Sequence, residues 1–246
     1  PARLPGAWRW VDGDLQGAPA EASSPANAAT QALSDLTSRW PTEALLVSRD
    51  AQLQFEWYGG VGDARTLRQG GGLAVAVLPA LFGALRQQGT DLLDVPLRQL
   101  LPEWSDDPRG DITSRQLLWQ LSGLENPRWH PLNPFGARAR LHSGPHFARA
   151  ALDYPLAWPP GSHFETSAAN AQLAARVLEN VLGLSLADAL ASRLWQPMGA
   201  GRARVTLDRL AGSMAAHCCL EATGRDWLRL ARLYAEDGIV DGGRLW

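Results

Sequence analysis

Two periodicities organise the apolar positions of this chain. Between Pro25 and Trp40, the side chains Ala29, Leu33, Leu36 and Trp40 recur at helical spacing and predict an amphipathic helix. Directly afterwards, Ala44-Leu45-Leu46-Val47 and Leu53-Gln54-Phe55-Glu56-Trp57-Tyr58 flank the polar Arg49-Asp50-Ala51-Gln52, which predicts a β-hairpin. The second run alternates, so one of its faces is expected to be buried. The glycines Gly70-Gly71-Gly72 precede an apolar run from Leu73 to Leu85. Pro79 interrupts that run and predicts a helix that kinks there or begins nearby, since proline supplies no amide hydrogen.

Helical spacing returns from Ile112 to Leu121 and stops at Ser122-Gly123. Residues 125–162, rich in Pro, His, Arg and Trp, read as long loops with one short helix. A clear helix is predicted from Ala168 to Leu182, closed by Gly183. A second starts at the Ser185–Asp188 capping box and runs to about Trp195, ahead of Pro197. Val205–Leu207 and Met214–Leu220 read as strands, and a last helix runs from Thr223-Gly224-Arg225-Asp226 to near Gly238. Residues 1–24, rich in Pro, Gly and Ala, read as an irregular lead-in. Helices lie between strands early and late in the chain, which predicts a sheet built from both ends with a helical insertion between. The expected division is one domain over 25–246. Residues 25–70 and 200–246 form its α/β part, and 71–199 its mainly helical part.

Composition narrows the chemistry. The chain has 246 residues, and all 23 of its basic residues are arginine. Codon bias accounts for such a composition, but its chemical consequence is the same whatever the cause. Arginine stays protonated in proteins and cannot act as the general base that a neutral lysine can be. The net charge of −2 offers no basic field for nucleic acid. No apolar run reaches the ~20 residues needed to span a bilayer. The chain begins at Pro1 without a Met, so a removed leader, and with it a periplasmic or secreted location, stays open.

Cys218 and Cys219 are adjacent, and neighbouring cysteines rarely bridge each other. Two cysteines with five scattered histidines make no zinc pattern. His142 and His146 are four apart, but Gly144-Pro145 breaks any helix that would align them, and a surface loop is expected. No metal or cofactor site is therefore expected. The glycine run at 70–72 lacks the Lys-Ser/Thr ending of a phosphate cradle. Of the 11 tryptophans, Trp57, Trp104, Trp119, Trp195 and Trp227 fall in or beside regular elements and read as core.

An ordered set of phrases resembles the serine β-lactamase and penicillin-binding-protein superfamily, on its class C esterase and 6-aminohexanoate-dimer hydrolase branch. The set begins with Leu46-Val47-Ser48-Arg49-Asp50, Leu81-Phe82-Gly83-Ala84-Leu85 and Leu93-Asp94-Val95-Pro96. It continues through Leu101-Pro102-Glu103-Trp104 and Leu121-Ser122-Gly123-Leu124 to Pro160-Gly161-Ser162-His163-Phe164. Leu194-Trp195-Gln196-Pro197-Met198-Gly199 and Arg225-Asp226-Trp227 complete it. The resemblance implies an α+β fold with an antiparallel sheet flanked by helices. It also implies a catalytic serine in Ser-x-x-Lys, a tyrosine in a Tyr-x-Asn-like motif and a Lys-Thr-Gly-like motif on a late strand.

In that register the nucleophile slot falls on Gly72, the lysine slot on Val75 and the tyrosine slot on Thr166. Small shifts of register do not restore them: no serine lies between Ser48 and Ser105, and no tyrosine between Tyr154 and Tyr234. The third motif falls beyond Trp246, so the sheet is expected to lack its last strands, with an oligomer or partner chain as one way to complete it. The resemblance thus implies a serine-hydrolase homologue without its chemistry, keeping a cleft for a small-molecule or peptide ligand. Ser167 with His163 is the alternative, a relocated nucleophile and base in an active amide or ester hydrolase; a serine at a helix start is otherwise an N-cap. Trp129 and Trp158 lie in the segment that borders the cleft in the family and would form its apolar wall.

Overall fold

The computed structural model describes residues 7–13, 28–50, 52–128, 133, 135–240 and 242–246. The chain enters through strand β1 (Trp8–Val11), helix α1 (Ala28–Arg39) and the strands β2 (Ala44–Arg49), β3 (Gln52–Tyr58) and β4 (Arg68–Gln69). A helical section follows, comprising α2 (Val77–Gln87), α3 (Ser114–Leu118), α4 (Ala137–Ser143), α5 (Phe147–Leu152), α6 (Ala168–Leu182) and α7 (Leu186–Leu190). The last elements are β5 (Ala203–Thr206), β6 (Leu220–Ala222), α8 (Gly224–Ala235), β7 (Ile239–Val240) and β8 (Gly243–Arg244).

The main sheet has the order β1-β5-β6-β4, and every neighbour in it is antiparallel. It therefore joins early strands to late ones, with the helical section lying between them in sequence. The β2–β3 hairpin pairs within itself, with a bulge at Val47/Ser48, and packs on α8.

Helix α2 runs through the core, where Val77, Leu78, Leu81, Phe82 and Leu85 are all buried. Burying each such side chain stabilises the fold by about 1.5–3 kcal/mol. Pro79 is the third residue of α2, inside the first turn, where amide hydrogens lack intrahelical acceptors anyway. A 3-10 turn over Gly71–Ala76 leads directly into α2. Helix α6 packs Leu173, Ala174, Val177 and Leu178 inward and stops where Gly183 takes φ +64°. That left-handed turn has little cost for glycine. The largest buried aromatic side chains are Trp104, Trp195, Tyr154 and Phe82.

Several expectations need correcting. Residues 8–11 are a strand and not part of an irregular lead-in, because Trp8–Val11 pairs with β5 in register Trp8↔Thr206 to Val11↔Ala203. The rest of residues 1–24, apart from 7, 12 and 13, lies outside the described residues. Residues 125–162 hold two helices, α4 and α5, since Leu141, Phe147 and Leu152 give each short helix an apolar anchor in the core. The Ile112–Leu121 helix shortens to Ser114–Leu118, started by a reciprocal Thr113/Gln116 capping box. Only Leu220 of Met214–Leu220 lies in a strand, although Met214 bridges Leu207. Cys218 and Cys219 are joined by a disulfide, against the expectation for neighbours. His142 lies in the last turn of α4, its ring 5.1 Å from that of His217, and so is not in a loop, whereas His146 is exposed in the short connection between α4 and α5, as expected. Trp119 is 58% exposed rather than core.

Candidate functional site

The turn before α2 is fixed by backbone and ring contacts. Gly70 donates its amide to the Leu220 carbonyl at 2.9 Å, which ties the turn to the end of β6. Leu73 in turn donates to the Gly70 carbonyl at 2.9 Å. Trp227 of α8 packs over Gly70 and donates its indole N–H to the Arg68 carbonyl at 3.1 Å. Gly72 is exposed on this turn, and a β-carbon there would meet no atom within 4 Å. Val75 is half-buried and leans on the core. Tyr234 of α8 donates its hydroxyl to the Ala76 carbonyl. Burial pushes the Tyr234 phenol up to about 12, so at neutral pH it is a donor and not a base.

The 163–168 segment is organised around a different set of groups. Thr166 is exposed, and its carbonyl accepts from the Asn126 side-chain amide at 3.1 Å. Ser167 is 7% exposed and is the N-cap of α6. Its hydroxyl accepts from the Ala169 amide at 3.2 Å, and its own amide donates to Gln120 Oε1 at 2.9 Å. The same Gln120 oxygen accepts from Asn170 Nδ2 at 2.9 Å, and Ser122 Oγ donates to Asn170 Oδ1 at 2.7 Å. Ser167 and Ser122 are thus both held by buried networks. His163 stacks on Trp158, centroids 4.1 Å apart, and is exposed. Its ring makes no hydrogen bond to Ser167 among the described residues, nor does any hydrogen bond join the Gly70–Ala76 turn to the 163–168 segment. Trp158 is half-buried as a wall residue would be; Trp129 lies outside the described residues.

A polar cluster with no counterpart in the sequence reading lies under the hairpin. Arg225 forms a two-point ion pair with Glu56, at 2.7 and 2.6 Å, and Tyr58 donates its hydroxyl to the same carboxylate. The Arg225 hydrogen bond holds the Glu56 carboxyl below its usual range, while burial and the Glu56 hydrogen bond push Tyr58 upward. These groups clamp the hairpin to α8.

Neither the cavity of about 670 Å³ beside α2 and α3 nor the one of about 190 Å³ beside α5 and α6 is lined by Gly72, Val75, His163, Thr166 or Ser167. No group of three or more His, Cys, Asp or Glu side chains able to hold a metal occurs among the described residues. No described helix is long and apolar enough to cross a membrane.

An antiparallel sheet flanked by helices, with a buried helix starting at a turn held against that sheet, defines the β-lactamase/transpeptidase type of α+β fold. The Beta-lactamase family model matches residues 26–238, and the chain belongs to that family. The 6-aminohexanoate-dimer hydrolase of Paenarthrobacter ureafaciens is 27% identical over 242 residues, a match covering 92% of this chain. The chain spans 61% of the length of that relative.

Solved structures share the fold. A putative 6-aminohexanoate-dimer hydrolase from Bacillus anthracis superposes with a TM-score of 0.82 at 20% identity, covering 98% of this chain and 68% of its own. A penicillin binding protein from Bacillus halodurans gives 0.62 at 15% identity, covering 87% and 76%.

Proposed function

We propose that this member of the β-lactamase family is a non-catalytic homologue that binds a small molecule or peptide in the cleft its relatives use for hydrolysis. The observation that carries the reading is the pairing of an exposed glycine, Gly72, in the nucleophile slot with a chain containing no lysine. An acyl transfer of the family's kind needs a hydroxyl to attack the carbonyl and a neutral amine close by to take its proton. Glycine has no side chain to attack with, and Val75 and Thr166 supply neither amine nor phenol. Donors and binding alone leave a residual acceleration of roughly 10³–10⁴ over water, far short of useful turnover.

The relocated pair is poorly equipped for the role. The Ser167 hydroxyl is engaged as a helix cap, and the His163 ring is stacked on Trp158. An oligomer or partner chain that completes the sheet belongs to the same reading, with β1 and β4 the edge strands of the main sheet among the described residues; a monomer by light scattering at all concentrations argues against it.

Turnover assays test the catalytic side. Nitrocefin and p-nitrophenyl esters are expected to be hydrolysed no faster than the buffer rate. Turnover that Ser167→Ala abolishes would instead establish the relocated set.

A further inference from the structure

A cavity of about 190 Å³ lies between α5, α6 and the turn that follows β5. It is smaller than the ~300–1,000 Å³ typical of sites for drug-sized ligands. Its walls carry three guanidiniums, from Arg149, Arg176 and Arg209, with His146 and Ser213 beside them. Two carboxylates also face it, and both are occupied from within. Asp208 has a side chain only 1% exposed. It accepts from the Phe147 amide at 2.9 Å, the Ser213 amide at 2.9 Å and Arg209 at 3.2 Å. Glu103 accepts from Arg176 at 3.3 Å. A third carboxyl, Glu179, accepts from the Leu186 amide and is not among the residues that line the cavity.

Arg149 is the exception. Among the described residues its side chain has no ion pair and no hydrogen bond, and neither the His146 ring nor the Ser213 hydroxyl has a hydrogen-bond partner. Three arginines against two satisfied carboxylates leave one surplus positive charge in a donor-rich concavity. We propose that this cavity is a binding site for a small oxyanion, a phosphate group held by Arg149 with Arg209, Arg176 and Ser213. Planar guanidiniums match the oxygen spacing of phosphate, and charge-assisted hydrogen bonds are the stronger kind. The group would come from free phosphate or from the end of a small phosphorylated compound.

Isothermal titration with sodium phosphate at low ionic strength tests this, with sodium chloride at matched ionic strength as the blank. Saturable one-site binding is expected. Arg149→Ala should weaken it about tenfold. Arg49→Ala, at an exposed residue of β2 that does not line the cavity, should leave it unchanged. Arg149 is exposed, so its variant should melt with the wild type, and Ser213→Ala gives a second, smaller loss. A parallel titration with phosphoethanolamine separates the sources: tighter binding than phosphate assigns the site to a phosphorylated compound, weaker binding to the free ion. Absence of saturable binding, or equal losses in Arg149→Ala and Arg49→Ala, overturns the proposal.

Discussion

Gly70 lies so close to the indole of Trp227 that a β-carbon at position 70 would sit 2.3 Å from the ring. Two residues further on, Gly72 faces open space. The glycine run therefore contains two unlike positions: one that packing requires and one that packing ignores. Gly70→Ala is expected to destabilise by about 1–3 kcal/mol, because the indole is anchored to Arg68 and has to move. Gly72→Ser should change stability by no more than ~0.5 kcal/mol. Urea denaturation of both variants decides it, and equal costs would sink the distinction.

The Glu56–Arg225 pair predicts a pH dependence. Its side chains are only 11% and 18% exposed, so removing one partner leaves the other buried without compensation. Glu56→Gln should cost roughly 3 kcal/mol. The folded-state pKa of Glu56 lies below its ordinary value of 4.5. The unfolded chain therefore binds the proton more readily. The pair's contribution is complete above about pH 4.5 and is lost as pH falls through the lowered pKa. Denaturation midpoints measured from pH 7 down to pH 3 should fall in the wild type and fall less steeply in Glu56→Gln, where the other carboxylates held down in the fold, such as Asp107 and Asp188, still contribute. Parallel slopes would refute the assignment.

Asn170 holds the loop from Gln120 to Leu124 against the start of α6. Its side chain accepts from Ser122 and donates to Gln120, which also receives the Ser167 amide. Asn170→Ala strands a buried hydroxyl and should cost about 1–3 kcal/mol. Hydrogen exchange of residues 163–168 should quicken in the variant before global unfolding does. Unchanged exchange there would show that the network does not frame the segment.

These contacts explain which parts of the molecule were legible in the sequence. The α6 helix is legible because both of its signals are local, a Ser167 cap and a left-handed Gly183 stop. The β2–β3 hairpin is legible for the same reason, as alternation around a short polar turn. Strand β1 is not, since four residues carry little pattern and their partner, β5, lies far along the chain. Helices α4 and α5 are hidden because neither has a side-chain cap and each is held by tertiary burial of Leu141 or Phe147.

The candidate site divides in the same way. The proposal that Gly72, Val75 and Thr166 stand in vacated slots rests on the family resemblance alone, because nothing about glycine, valine or threonine by itself announces such a slot. The N-cap role of Ser167 is legible from its place before α6. Tyr234, whose hydroxyl reaches the Ala76 carbonyl, carries no sequence signal, since it is brought there by the packing of α8.

Covalent labelling tests the central claim most directly. The protein is incubated with a fluorescent penicillin and, separately, with a fluorophosphonate, and its intact mass is measured. The account predicts an unmodified mass with both reagents, because no activated hydroxyl occupies the slot at Gly72. A stoichiometric adduct mapped to a serine, Ser167 included, would contradict it.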